Sequence, residues 1–222
     1  MAKIVDLSVP IEDHFRWPID RQLKASHAEG SDFQVTYLGM GVHGFTHMDA
    51  PRHFVAGAPT TSAVELEKTV GEAAVVDLRP IAENTEITTE LLAPRAEHVR
   101  EGDIVLLKTC WDEQRELHTP EFWTTAPYLS RSACEWLLGR GIRALGVDFP
   151  QDYPIRGLLS GGGTAEAADF VSHDVLLRNG VILIEYLCNM GALEQDRVML
   201  VALPMKIPDS DGAPSRVIAL VD

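Results

Sequence analysis

The chain is built from short apolar runs separated by polar turns, not from long helical stripes. Eight runs read as strands: Lys3–Val9, Gln34–Val42, Ala73–Leu78, Asp103–Thr109, Arg143–Asp148, Val181–Tyr186, Val198–Leu203 and Arg216–Val221. Each is rich in Val, Ile and Leu and is bounded by Gly, Pro or Asp. Helical patterns are fewer. Thr88–His98 is one candidate. Ser130–Arg140 is better, because Ala133, Trp136 and Leu137 form an apolar stripe. Ser132 and Glu135 hold capping-box spacing there, and Gly141 suits the position after the helix end. A short helix is expected near Ser172–Arg178, with Asn179-Gly180 as its stop.

The stretch Pro150–Ala168 contains Gly157, Gly161, Gly162 and Gly163 and shows no strong periodicity. It predicts a long loop, either a flexible surface loop or one of the lid or binding kind. It is not a P-loop, since no Gly-Lys-Ser/Thr follows the glycines, and Ser160 does not sit in a G-x-S-x-G elbow. Many strands with a few interspersed helices place the chain in the α/β or α+β classes rather than among bundles. A length of 222 residues suits one domain spanning 1–222.

Charge narrows the partners. The formal net charge is −14, which argues against nucleic acid and against anionic membrane surfaces, both of which need basic patches. No apolar run approaches a membrane span. Met1–Asp6 lacks a long apolar run before its first acid, so no signal peptide is expected there. Cys110, Cys134 and Cys188 are widely spaced and contain no CxxC pair. They make no disulfide framework and point to a reducing cytoplasm.

The chemistry concentrates in residues 43–53. His43-Gly44-Phe45-Thr46-His47-Met48-Asp49-Ala50-Pro51-Arg52-His53 packs three imidazoles and one carboxylate into eleven residues. Neutral imidazole nitrogen and carboxylate oxygen are good ligands for zinc or manganese. The spacing also restricts the backbone. On a helix, Asp49 would point roughly 200° away from His47. On a flat strand, His43 and His47 would stand roughly 13 Å apart, too far for one ion with bonds of about 2 Å. The segment is therefore expected to be a bent strand or curved loop. Gly44 allows the bend, Pro51 ends any regular element, and Met48 and Ala50 pack behind the site. Further along, Glu185 interrupts the run Val181–Ile184, as a strand end, an exposed residue or a buried carboxylate with a partner. His173 lies in or beside a short helix.

The segment resembles the signature of the metal-dependent cyclase family, roughly His-x-Gly-Thr-His-x-Asp-x-Pro-x-His. His43, Thr46, His47, Asp49, Pro51 and His53 are in register, and Phe45 stands where the pattern has Gly. Trp17-Pro18, Thr109-Cys110-Trp111, Gly146-Val147-Asp148, His173 and Glu185 extend the resemblance over most of the chain. The resemblance implies a swivelling β/β/α domain assembled as a homodimer or homotetramer. It implies metal ligands His43, His47, Asp49, His173 and Glu185, holding one or two ions, Zn2+ or Mn2+. His53 is then the general base, with a third histidine ligand or an orienting group as the other readings.

The activity implied is hydrolysis of an amide-type bond in a small molecule, an arylformamide, a lactam or a related amide, by metal-activated water. Trp17 and Phe45 are expected at the substrate, and Trp111, Phe149 and Tyr153 are further candidates for an aromatic pocket. Arg16 or Arg52 is a candidate partner for a substrate carboxylate. Two other classes fit the ligand types: a non-catalytic divalent-metal protein, and an oxygenase using His43, His47 and Asp49. No cysteine lies near the cluster, which weighs against a structural zinc site.

Overall fold

The computed structural model describes every residue except Met1, Ser160, Gly162 and Asp222. Among the described residues the strands are β1 (Lys3–Asp6), β2 (Ile19–Ala25), β3 (Val35–Met40), β4 (His47–Asp49), β5 (Val70–Asp77), β6 (Glu86–Ile87), β7 (Ile104–Lys108), β8 (Tyr128–Leu129), β9 (Ala144–Val147), β10 (Ile182–Glu185), β11 (Arg197–Pro204) and β12 (Gly212–Val221). The helices are α1 (Thr89–Leu92), α2 (Trp111–Gln114), α3 (Pro120–Thr124), α4 (Arg131–Gly139), α5 (Ile155–Leu159) and α6 (Val171–Val175). All eight expected strands are present, with shifted ends, and the mixed α/β class holds.

The main sheet runs β1-β12-β11-β5-β7-β9-β10-β4, and β4 pairs in addition with β12. That second pairing closes β12, β11, β5, β7, β9, β10 and β4 into a ring. The β5-β7-β9-β10 pairs are parallel and the others antiparallel. Met48, Val75, Leu106, Ile184, Leu200 and Val217, from strands all around the ring, meet in one cluster that fills its interior. Their neighbours Val76, Val105, Leu107, Leu145 and Leu183 face outward, under Trp111, Phe122, Trp123 and Leu137. The parallel strands are thus covered on both faces, which is why they read as continuous apolar runs. Each fully buried Val or Leu contributes about 1.5–3 kcal/mol, so these two layers dominate the stability.

Several details depart from the sequence reading. The N-cap of α4 is Ser130, whose side chain accepts the N–H of Ala133, so the capping contact lies two residues before Ser132. The helix expected over Thr88–His98 shrinks to α1 and a 3₁₀ turn, Ala93–Arg95, because Pro94 cannot donate to the ladder. Pro150–Ala168 is not all loop, since it contains α5; its Ser160 and Gly162 lie outside the described residues. Strand β2 leaves no apolar run in the sequence, because five of its seven residues are exposed. It pairs with β3 in a separate hairpin.

Three-residue β4 has the decisive position. Against β10 it sets His47 opposite Glu185 and Asp49 opposite Leu183. Against β12 it sets Asp49 opposite Gly212. Met48 points into the ring, so His47, Asp49 and Glu185 share its outer face.

Candidate metal centre

The turn before β4 is made by Phe45, whose φ is +60°. Gly44 was the expected bend, but its role is close approach: a Cβ there would lie 3.3 Å from the Trp17 ring. After the turn, Thr46 ties the segment down. Its hydroxyl donates to the Tyr186 carbonyl at 2.7 Å and accepts the N–H of Val9 at 2.9 Å. A 3₁₀ turn over Pro51–His53 then swings His53 back toward the strand.

The side chains converge. His43 Nδ1 lies 2.7 Å and His47 Nε2 3.2 Å from Asp49 Oδ1. The other oxygen of Asp49, Oδ2, is 3.2 Å from Nε2 of His173. Glu185 reaches both sides, with Oε2 at 3.6 Å from His47 Nε2 and Oε1 at 3.4 Å from His173 Nε2. His53 stands beside them, its ring centroid 4.1 Å from that of His43 and 5.5 Å from that of His173. Every metal-ligand candidate named from the sequence is therefore in one place.

The electrostatics follow from burial. Asp49 and Glu185 are 1% and 4% exposed. Burial pushes Asp49 up, but His47, His173 and His43 outweigh it and hold the carboxyl well below the usual range. Glu185 is raised by burial and by Asp49. Burial lowers His43, yet the carboxylates of Asp49 and Asp211 carry it up to about 9. His47 and His173 are raised against burial by their carboxylate neighbours as well. His53 is the exception: burial, assisted by His43 and His173 against Asp49 and Asp211, lowers it.

A cation fits this donor set. Two buried carboxylates side by side are costly without positive charge. Neighbouring donors around an ion with bonds of about 2 Å stand roughly 3 Å apart, close to the separations found. His43, His47 and Asp49 form one such group, and Asp49, His53 and His173 form another.

Three supporting acids and amides gave no signal in the sequence. Asp152 Oδ2 lies 2.6 Å from His173 Nδ1, and its carboxylate also receives the N–H and hydroxyl of Ser172. Gln151 donates to Glu185. Asp211 reaches His43 and His53 from the far end of the chain. The segment after β9 brings Gln151 and Asp152 here, and the pairing of β12 with β4 brings Asp211, the residue before Gly212.

The cluster floors a cavity of about 340 Å³ whose walls include Arg16, Phe54, Ile155, Phe170 and Tyr186. A larger groove of about 680 Å³, bordered by Asp6, Val9, Leu203 and Met205, contains no histidine. The aromatic candidates separate. Phe45 is corrected: its ring is 1% exposed, packs on Trp17 and His14, and is not part of the cavity wall. The left-handed turn that exposes its carbonyl to His47 sends the ring into the interior. Trp17 borders an adjoining hollow that shares Arg16, His43 and Leu158 with the cavity. Trp111 and Phe149 are core residues, and Tyr153 is exposed. His14 is half-buried and stacks on Trp17.

Fold and site together define an α/β protein whose closed mixed sheet carries a histidine–carboxylate cluster suited to metal ions. The chain belongs to the cyclase family, described as putative cyclase, whose model matches residues 5–151. Kynurenine formamidase of Bordetella avium is 28% identical over 226 residues, covering 98% of both chains. Kynurenine formamidase of Bacillus cereus is 26% identical over 219 residues, covering 96% of this chain and 95% of its own. Isatin hydrolase A of Labrenzia aggregata shares the fold with a TM-score of 0.82 at 22% identity, over 99% of this chain and 94% of that one. A structure described as a predicted metal-dependent hydrolase from Bacillus stearothermophilus matches with a TM-score of 0.77 at 26% identity, over the full length of both.

Proposed function

We propose that this protein is a metal-dependent hydrolase of an amide-type C–N bond in a small molecule. The observation that carries the reading is the convergence of His43, His47, Asp49, His173 and Glu185 beside His53 on the floor of one cavity. The formamidase relatives support amide hydrolysis. His43, His47 and Asp49 hold the first ion. The two oxygens of Asp49 face different histidines, which supports a second ion held with His173 and Glu185. Zinc suits this nitrogen–oxygen set, with manganese as the alternative. When bound, the divalent ion lowers the pKa of water and polarises the scissile carbonyl.

His53 takes a proton from the attacking water and returns it to the leaving nitrogen. Its lowered pKa keeps the ring neutral, and so able to accept, near neutral pH. Arg16 lines the cavity with its guanidinium 4.6 Å above the Trp123 ring. No carboxylate pairs with it among the described residues, so it receives an anionic end of the substrate. An arylformamide is the first substrate to try, and a lactam the second.

The exposed apolar side chains of the β2–β3 hairpin, including Leu23, Val35, Tyr37 and Leu38, support assembly as a dimer or tetramer. Free Cys110, Cys134 and Cys188 fit a cytoplasmic setting. No helix among the described residues is long and apolar enough to cross a membrane.

Elemental analysis with the His47→Ala variant tests the site. Roughly one to two equivalents of metal, reduced in the variant, are expected. His53→Ala is expected to keep its metal and lose turnover by about 10²–10⁴-fold. A protein that takes up neither zinc nor manganese, or a His53→Ala variant with near-normal turnover, contradicts the mechanism.

A further inference from the structure

We infer that Asp211 is the positioning residue of this site, one carboxylate oxygen setting both the metal-ligand ring of His43 and the proton-transfer ring of His53. The inference rests on the metal-hydrolase reading above. Oδ2 of Asp211 lies 2.9 Å from Nε2 of His43 and 3.3 Å from Nδ1 of His53. The two rings lie nearly face to face, inclined by 30°.

The geometry divides the nitrogens of His43. Its Nδ1 faces Asp49 and the ligand set, while its Nε2 faces Asp211. Both nitrogens face carboxylates, which only accept when ionised; an ion held with Asp49 would take the place of the proton on Nδ1, while Nε2 would keep its proton for Asp211. The same reasoning applies to His53. Donation from Nδ1 to Asp211 leaves Nε2 as the basic nitrogen. One ring nitrogen of His53 lies within 4.8 Å of donor atoms of Asp49 and His173.

The backbone is built to hold Asp211 there. Its carbonyl accepts the N–H of Ala50 at 2.9 Å, and the preceding Ser210 carbonyl accepts that of Thr61 at 3.0 Å. The next residue, Gly212, lies flat against the His43 ring, where a Cβ would approach Cε1 to 2.6 Å. A larger residue at 212 would lift the strand and take the carboxylate away from both rings. Ala50 follows Asp49 and Gly212 pairs with it, so the segment holding Asp211 is fixed beside the cluster itself.

The test uses the full chain and its Asp211→Ala and Asp211→Asn variants. Zinc affinity is measured by chelator competition, and kcat and KM on an arylformamide. Loss of the carboxylate is expected to weaken zinc by about 10–100-fold, the usual effect of removing an acceptor behind a metal-bound histidine. It is expected to lower kcat while leaving KM within about twofold, since the substrate does not touch Asp211 in this scheme. Asp211→Asn retains the shape and an acceptor oxygen, so it folds and is expected to recover part of both losses. Where Asp211→Ala fails to fold, Asp211→Asn decides alone. Zinc affinity and kcat within twofold of wild type in the folded variants overturn the inference, as does a loss confined to KM. The hydrolase reading fails separately: a wild-type protein that binds zinc in an Asp211-dependent way but cleaves no amide retains the positioning role toward His43 and removes that toward His53. A wild-type protein without metal affinity overturns both.

Discussion

The carbonyl oxygen of Phe45 lies 2.9 Å from Nδ1 of His47. A carbonyl can only accept, so Nδ1 of His47 carries the proton and Nε2 is the nitrogen presented to Asp49 and Glu185. The left-handed turn at Phe45 is what aims that carbonyl. The family signature has glycine at this position, a residue that adopts φ near +60° without a Cβ penalty. Cys110 is a second non-glycine residue in this conformation, with φ of +52°. Each conformation is retained without glycine because the surrounding contacts outweigh a strain of about 1–2 kcal/mol.

For Phe45 those contacts are the packing of a fully buried ring. Phe45→Gly relieves the backbone strain and removes the ring, which alone costs about 3–5 kcal/mol. A net destabilisation of roughly 2–3 kcal/mol is expected in denaturant unfolding. Zinc stoichiometry is expected to stay at the wild-type value, because the carbonyl that orients His47 remains. Loss of metal in a folded Phe45→Gly protein would show that the ring itself shapes the site.

Asp152 does for His173 what Phe45 does for His47. Its Oδ2 accepts from Nδ1 at 2.6 Å and leaves Nε2 facing Asp49 and Glu185. Asp152→Asn is expected to weaken the metal held with His173 by about 10–100-fold in chelator competition. The His43–His47 group does not touch Asp152, so one equivalent is expected to survive. Loss of both ions together would indicate that they bind as a unit.

The histidine shifts set a pH dependence. In the metal-free protein His43 is raised from 6.5 to about 9, because Asp49 and Asp211 outweigh burial. Its folded-state value lies above its unfolded one, so its contribution to stability is complete below about 6.5 and is lost as pH rises through about 9. His47 and His173 act in the same direction. Asp49, held well below 3.8, acts oppositely and loses its contribution only in acid. Chelator-treated protein is expected to lose thermal stability from pH 6.5 to 9, with a shallower slope in His43→Gln. Metal ligation requires neutral imidazole, so binding near pH 7 releases protons. Calorimetry in buffers of different ionisation enthalpy measures the release, and a buffer-independent heat would contradict the assignment.

How much of this was legible in the sequence depends on distance along the chain. The strands were legible because double-sided burial writes itself as apolar runs such as Ile104–Lys108. The hairpin strand Ile19–Ala25 was not, since mostly exposed residues leave no such record. His43, His47, Asp49 and His53 were legible because four ligand-type residues share one short segment. Asp211 and Asp152 were not, because their function depends on closure of the ring between β4 and β12 and on the placement of α6. The burial of the Phe45 ring is not legible in the residue type, because its φ decides where the ring goes.

Arg16 supplies the remaining prediction. Its guanidinium stacks on Trp123 at 4.6 Å and lies 6.0 Å from the Trp17 ring, which restrains the cation at the cavity wall. A charge-assisted hydrogen bond contributes about 1.5–3 kcal/mol, or roughly 10–100-fold in binding. Arg16→Gln is therefore expected to raise KM for a carboxylate-bearing formanilide by about that factor, with kcat little changed. The matched neutral formanilide is expected to respond by less than about twofold, because it offers nothing for the guanidinium to bind. Arg16→Lys keeps the charge but loses the planar fork and part of the stacking on Trp123, so it is expected to fall between the two. Equal effects on the charged and neutral amides would assign Arg16 to the packing of Trp17 and Trp123 and leave substrate charge to another group.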